Sequence, residues 1–234
     1  MWALQKLVGE DKGRFLALIW ALWTIRNARL FEEEPCNLEV VVMGFTRLVA
    51  DYQGYVNAGL VRESSGEGES TGLNLWKPPE QGTIKFNSDA AFLGEMDVGL
   101  GVVGRNSRGE VVVVASKRCR AQWSVETAEA KAMMFGLEVA KHLGVNNIAL
   151  ESDSMVAVRA VKKNADMRHS FGLCVRDVCE LIKSFVCRGV NHVKREGNTV
   201  AHLVARLCSA IGEELICVSD FPHSVLSLAE LDLI

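Results

Sequence analysis

The chain has 234 residues, of which 49% are hydrophobic and 24% charged, and its formal net charge is -3. This composition is typical of a soluble globular protein, and the length allows one large domain or an ordinary domain with an appendage. The seven cysteines contain no CxxC pair and the five histidines lack HExxH or zinc-finger spacing. The pattern therefore favours neither a disulfide framework nor a zinc site, and it favours a reducing compartment.

Charge is distributed unevenly along the chain. Residues 83–208 contain 18 Lys and Arg against 13 Asp and Glu, a net charge of +5, whereas the other residues carry 8 and 16. A basic segment suits a polyanionic partner such as a nucleic acid, although many proteins that bind no nucleic acid carry a similar charge. No particular oligomeric state is implied.

The first 82 residues differ from the rest of the chain. Apolar residues at helical spacing predict a helical N-terminal segment at 1–60, and the Gly-, Ser- and Glu-rich stretch that follows predicts a flexible linker at 61–82. The apolar run at 15–25 is too short to span a membrane, and the mixed charges before it do not resemble a signal peptide. We therefore expect no membrane association and no secretion, and an intracellular protein of the nucleus or cytoplasm.

From residue 83 the pattern changes to short strands and amphipathic helices. Strands are predicted at 83–92, 99–106, 110–119, 147–154 and 190–196, and helices at 124–144, 155–163, 171–185 and 198–210. A three-strand meander followed by alternating helices and strands predicts an α/β domain at 83–210. Its mixed five-stranded sheet would carry helices on both faces, and residues 211–234 would form a C-terminal tail.

The stretch "GLGVVG" at 99–104 satisfies the GxGxxG dinucleotide fingerprint. That fingerprint requires the glycines to open a helix whose N-terminus binds the pyrophosphate. Here "RNSRGE" and four valines follow, which predicts a hairpin. We therefore interpret the glycines as strand positions that need small residues for close packing, and we set a nicotinamide enzyme aside.

Three acids stand at positions where they can converge. Asp89 lies in the first strand, Glu129 in the first turns of the long helix, and Asp153 at the end of the fourth strand. Carboxylates brought together repel one another unless a cation lies between them, and clusters of oxygen ligands suit Mg²⁺ or Mn²⁺. Taken singly, each acid is more simply a helix cap, a surface acid or a turn residue; the combination favours a metal site.

Five motifs carry a resemblance to a known family. They read "WKPPEQGTIKFNSD" (76–89), "GLGVVGRNSRG" (99–109), "AEAKAMMFGLEVAKHLG" (128–144), "ESDSMVAV" (151–158) and "REGNTVAH" (195–202). In this order they resemble type 1 ribonuclease H, in particular the plant reverse-transcriptase-like branch derived from non-LTR retrotransposons. The stretch "IWALWTIRNARLF" (19–31) is similar to the one that precedes the domain in those elements, and the polymerase "DD" motif is absent from the sequence.

The resemblance implies a ribonuclease H-like three-layer fold and an endoribonuclease that hydrolyses the RNA strand of RNA/DNA hybrids. It implies that Asp89, Glu129 and Asp153 bind two Mg²⁺ or Mn²⁺ ions, and that His202 assists catalysis where cellular enzymes usually carry a fourth carboxylate. One metal would activate water and the other would stabilise the leaving 3′-oxygen.

Several residues depart from the family pattern. Ala90 follows the first Asp, where the family favours Gly, and Val125, Glu126 and Met155 stand where cellular enzymes place two Asn and a Gln against the hybrid. These departures favour an alternative, a transposon-derived domain that binds nucleic acid or protein and cuts weakly or not at all. A proofreading-type exonuclease would need Asp-x-Glu in the first strand, where this chain has "DAA".

Overall fold

The computed structural model describes residues 76–164, 168–211 and 214–233. The predicted helices at 1–60 and the first fifteen residues of the predicted linker therefore lie outside the described residues. Trp76, which we placed in that linker, is only 3% exposed, and its indole Nε1–H donates a hydrogen bond of 2.8 Å to Asn87 Oδ1. The chain is thus already packed on the domain at residue 76.

The described residues contain a six-stranded mixed sheet. The strands are β1 (Ile84–Phe92), β2 (Asp97–Arg105), β3 (Val111–Arg120), β4 (Asn147–Ser152), β5 (Val186–His192) and β6 (Glu214–Cys217). Their order across the sheet is β5-β4-β1-β2-β3-β6. Strands β1, β2 and β3 form an antiparallel meander, and β4 and β5 run parallel to β1. This arrangement confirms the predicted mixed sheet with a meander followed by parallel strands.

Within the described residues, five α-helices connect or follow these strands. They are α1 (Val125–His142), α2 (Met155–Lys162), α3 (Ser170–Ile182), α4 (Thr199–Ile211) and α5 (His223–Leu231). The predicted cap of α1 is confirmed, because the Ser124 hydroxyl accepts from the backbone N–H of Thr127. The helix ends before Gly144, whose φ of +69° is a conformation that glycine adopts without strain.

Helices cover both faces of the sheet. On one face α1 packs across β1, β2 and β4, with Gly136 against the side chains of Val102 and Leu150, and α3 packs on α1. On the other face α4 lies against β2. This confirms the three-layer arrangement and places the apolar core between α1 and the sheet.

The prediction of five strands was wrong by one. Residues 214–217, which we assigned to a C-terminal tail, pair antiparallel with β3 as the sixth strand. Beyond them, Asp232 bonds the fully buried Arg105 at 2.6 Å. A buried guanidinium needs a charged or hydrogen-bonding partner, and here the partner is 127 residues away in sequence. A local pattern cannot reveal such a partner.

The fifth strand lies earlier than predicted. It spans Val186–His192 instead of 190–196, and a short 3-10 helix at Arg195–Gly197 follows it. The strand alternates exposed and half-buried residues at the edge of the described sheet, so its hydrophobic signal is weak.

Gly99 and Gly101 permit the close approach of α4 to β2. A Cβ atom on Gly101 would collide with the main chain of Ala201 and Ala205, and one on Gly99 would collide with the Ala205 carbonyl. The prediction that "GLGVVG" is a closely packed strand is thereby confirmed. At Gly136 in α1, by contrast, a Cβ would meet Val102 methyl groups at 3.5 Å, an ordinary contact.

These two environments predict opposite effects for one substitution. Gly101→Ala should lower the free energy of unfolding by about 1–3 kcal/mol, because the backbone of α4 must move. Gly136→Ala should raise it by roughly 1 kcal/mol, since alanine favours a helix interior and finds room there. Urea denaturation of both variants measures this, and equal shifts in the same direction would contradict the packing described for α4.

Candidate metal centre

The sheet register brings the two aspartates together. Strand β4 pairs parallel with β1 so that Ser152 lies opposite Ser88. Asp89 is the next residue of β1 and Asp153 is the first residue after β4, so the two aspartates lie side by side just beyond the last pair of the two strands. Asp89 is buried at 3% exposure.

Helix α1 supplies the third acid. Glu129 lies in its second turn and is 8% exposed, since α1 packs over β1 and β4. One oxygen from each of Asp89, Glu129 and Asp153 lies within 4.8 Å of the others. The structure therefore brings together all three acids that the sequence singled out.

Burial and mutual repulsion shift the acidity of this cluster. Burial, followed by the charges of Asp89 and Asp153, raises the pKa of Glu129 to about 9, against the opposing effects of the Ala90 backbone N–H and Arg195. Burial also raises the pKa of Asp89, while its hydrogen bond with His202 opposes the shift. Without a cation, Glu129 therefore retains its proton at neutral pH.

The donor set fits a divalent cation. Glu129 Oε2 is buried and has no hydrogen-bond partner among the described residues, which is costly for a carboxylate oxygen. All three side chains offer oxygen, the ligand preferred by Mg²⁺ and Mn²⁺. A cation among these oxygens would satisfy Oε2 and would offset both causes of the raised pKa of Glu129, its burial and the repulsion by the two aspartates.

His202 lies at the edge of the same cluster. It stands in the first turns of α4, and its Nδ1 is 2.8 Å from Asp89 Oδ2. Its side chain is 28% exposed, whereas that of Asp89 is 4% exposed. The fourth residue that the sequence singled out is therefore in contact with the cluster.

Two neighbouring residues were missed as site residues. Asn198, predicted only to open the last helix, donates through Nδ2 to the Ser88 carbonyl at 3.0 Å and to Asp153 Oδ1 at 3.2 Å. Arg195 places Nε 3.7 Å from Asp153 Oδ2, with 85% of its side chain exposed. Both belong to the motif "REGNTVAH", which marked them without indicating a role.

Of the four residues that depart from the family pattern, three stand at the N-termini of the helices beside the site and Ala90 lies in β1. Val125 and Glu126 begin α1 and are exposed, and Met155 begins α2 at 38% exposure. Ala90 contributes its backbone N–H to the Glu129 carboxylate.

The sequence matches the reverse transcriptase-like family over residues 87–208. The match covers more than half of the chain, and the chain belongs to this family. The matched range includes the three acids and His202. A plant or retrotransposon origin stays a prediction. No curated protein matches the chain.

Solved structures similar to the chain include ribonuclease H1 domains. Ribonuclease H1 from the halophilic archaeon Halobacterium salinarum is 22% identical, with a TM-score of 0.49 over 53% of this chain and 96% of its own. The N-terminal ribonuclease H domain of a Mycobacterium tuberculosis protein, fused to maltose-binding protein, is 22% identical, with a TM-score of 0.48 over 55% and 93%. LC11-RNase H1 in complex with an RNA/DNA hybrid is 19% identical, with a TM-score of 0.46 over 52% and 92%.

Within the described ranges, none of the helices has the length and apolar character needed to cross a bilayer.

The raised pKa of Glu129 predicts that the free energy of unfolding of the metal-free protein depends on pH. The carboxyl titrates near 4.5 when the chain is unfolded and near 9 when it is folded. Between these values unfolding releases a proton, so the free energy of unfolding falls as pH rises toward 9. Glu129→Gln mimics the protonated form, and in EDTA its melting temperature should exceed that of the wild type at pH 8 by more than at pH 5.

Thermal melts of both proteins test this expectation. Glu138→Gln is the control, since Glu138 is an exposed acid on the same helix. A difference between Glu129→Gln and wild type that stays the same at pH 5 and pH 8 would contradict the protonated state of Glu129.

Proposed function

We propose that the chain is a metal-dependent endoribonuclease that hydrolyses the RNA strand of RNA/DNA hybrids. The observation that carries the proposal is the convergence of Asp89, Glu129 and Asp153 within 4.8 Å. Its membership of the reverse transcriptase-like family and its fold agree with this function. Glu129 buries a carboxylate oxygen that has no hydrogen-bond partner among the described residues, whereas an acid with no role beyond the surface seldom does so.

Asp89, Glu129 and Asp153 would hold two Mg²⁺ or Mn²⁺ ions. When bound, such a pair of ions supplies an activated water and stabilises the leaving 3′-oxygen of a phosphodiester. Glu129 must lose its proton to act as a ligand. The backbone N–H of Ala90 donates a hydrogen bond to its carboxylate and so helps to fix its position. The three carboxylates thereby orient the reacting groups, and a covalent intermediate with the protein is not required.

His202 would move protons at the edge of the site. Its Nδ1 contact with Asp89 fixes the orientation of the ring, and its partial exposure gives it access to water and product. Imidazole is the side chain most often used as a general acid or base in enzymes. We therefore assign His202 a supporting role and the three acids the essential one.

The proposed substrate is recognised by shape and charge. The net charge of +5 over residues 83–208 favours a polyanion, and the exposed guanidinium of Arg195 lies beside the cluster where a phosphate must approach. Selection of RNA would come from contacts with 2′-hydroxyls in the minor groove of the hybrid.

A second function is a domain that binds nucleic acid or protein and cuts weakly or not at all. Its support is the chemistry of Val125, Glu126 and Met155, because two apolar side chains and one exposed acid replace amides that would contact the hybrid. An acid facing phosphates would weaken binding. The two functions differ in whether a bound hybrid is cleaved when Mg²⁺ is added.

Removal of any one acid should abolish cleavage. Asp89→Asn, Glu129→Gln and Asp153→Asn each remove a ligand charge, and we expect the rate on a labelled RNA/DNA hybrid in Mg²⁺ to fall at least ~10²-fold, about 2.7 kcal/mol of barrier. Asp177→Asn, an exposed acid of α3, is the matched control and should cleave at the wild-type rate.

Wild-type turnover by any of the three variants would contradict the assignment of the acids. If the wild type binds the hybrid but leaves it intact in Mg²⁺ and Mn²⁺, the second function holds. Double-stranded RNA and DNA serve as substrate controls.

Substitution of His202 should modulate the rate. His202→Ala should slow turnover without preventing metal binding, and His202→Asp should retain activity because it restores the fourth carboxylate of related enzymes. Steady-state rates from pH 6 to 9 measure both variants. If His202→Ala equals the wild type throughout this range, His202 is only a helix residue in contact with Asp89.

A further inference from the structure

We propose that Asn198 is a positioning residue of the metal centre, and that Asn87 sets the direction in which its amide points. The inference rests on the proposed function and deepens it. Asn198 is 1% exposed and lies at the junction between the short 3-10 helix and α4. It is thus buried next to the cluster of three acids, and it would not bind the metal itself.

The amide of Asn198 ties together the two strands that carry the aspartates. Its Nδ2 donates to the carbonyl of Ser88, the residue before Asp89, and to Oδ1 of Asp153. The backbone carbonyl of Asn198 accepts from the backbone N–H of His202 at 3.0 Å. One residue therefore connects β1, the turn after β4 and the helix that carries His202.

The orientation of this amide follows from its neighbours. The indole N–H of Trp76 can only donate, so the Asn87 atom that it meets at 2.8 Å must be the carbonyl oxygen. The Asn87 amide nitrogen then donates to the Glu151 carboxylate at 3.1 Å and to Asn198 Oδ1 at 3.3 Å. The Asn198 oxygen is thereby engaged, and its NH₂ group is directed at Ser88 and Asp153.

The groups around the two asparagine amides each act in only one sense, as donor or as acceptor. Glu151 is held in turn by the ammonium of Lys85 at 2.7 Å, so its carboxylate acts as an acceptor toward Asn87. A flipped Asn198 amide would set its oxygen against the Ser88 carbonyl and the Asp153 carboxylate, which repel it. The buried network therefore fixes one orientation, in which Asp153 has one oxygen held and is restrained from rotating.

Groups that orient metal ligands typically contribute 10- to 100-fold to metal affinity or activity. Asn198→Leu keeps the shape and net charge of the side chain but removes both donated hydrogen bonds. We expect its Mg²⁺ dissociation constant, measured by titration calorimetry on the full chain, to rise about 10- to 100-fold. Turnover of the hybrid should fall, with a smaller change in KM.

Asn106→Leu is the matched control. Asn106 lies in the β2–β3 hairpin and also ties main chain to side chain, since its Oδ1 accepts from the backbone N–H groups of Arg108 and Glu110. Loss of these bonds should lower the melting temperature while the Mg²⁺ dissociation constant stays at the wild-type value. The control thus separates a loss of stability from a loss of positioning.

The outcomes distinguish this inference from the proposed function. A wild-type chain that binds neither Mg²⁺ nor Mn²⁺ overturns both. A wild type that binds, together with an Asn198→Leu variant that binds equally well, overturns the positioning role alone. Where Asn198→Leu does not fold, Asn198→Ser is measured in the same way, because its hydroxyl is too short to bridge Ser88 and Asp153.

Discussion

Three carboxyl groups within 4.8 Å of one another, largely removed from water, cannot all be ionised without a countercharge. The fold of the described domain holds the three carboxyl groups in this arrangement, although the arrangement is unfavourable by itself. Burial of Glu129 and, after it, repulsion from Asp89 and Asp153 raise the pKa of this carboxyl to about 9. A divalent cation relieves both, which is why the cluster indicates a binding site.

The parallel register of β1 and β4 provides the site at its simplest level, because it aligns Ser88 with Ser152 and so places Asp89 beside Asp153. A buried network of polar side chains next to the two aspartates then fixes their positions. Asn87 connects Trp76, Glu151 and Asn198, and the guanidinium of Arg105 lies 3.7 Å from the centre of the Trp76 ring.

The same network links the site to the end of the described chain. Arg105 is fully buried and is paired with Asp232, so residues beyond the predicted domain boundary at 210 neutralise a charge inside it. Buried polar groups of this kind are costly when incomplete and restrict a core to one arrangement when complete. The buried network next to the three acids is therefore rigid enough to hold their like charges together.

Much of the fold was predictable because the strands and helices of the central region have clear periodicity. The meander, α1 with its Ser124 cap, and the order of the later elements follow from local patterns and turn chemistry. The strand β6 was not predictable, since four residues carry little periodic signal and their pairing with β3 is a tertiary contact.

The site shows the same division. The three acids were found from their positions in the predicted strands and helix and then from the family resemblance, and His202 was found from the resemblance alone. Asn198 was predicted only as the residue that opens a helix, because a sequence does not reveal that its amide reaches Ser88 and Asp153, 110 and 45 residues away. Hydrogen bonds of such separation depend on the folded sheet.

Proton release on metal binding is the most direct test of whether Asp89, Glu129 and Asp153 form a metal site. Because Glu129 holds a proton at neutral pH and must lose it to act as a ligand, Mg²⁺ binding at pH 7.5 should release close to one proton. Titration calorimetry in two buffers of different ionisation enthalpy measures this number. A heat of binding that differs between the buffers by about one proton's ionisation is the expected result. Absence of binding, or binding with the same heat in both buffers, would contradict the account.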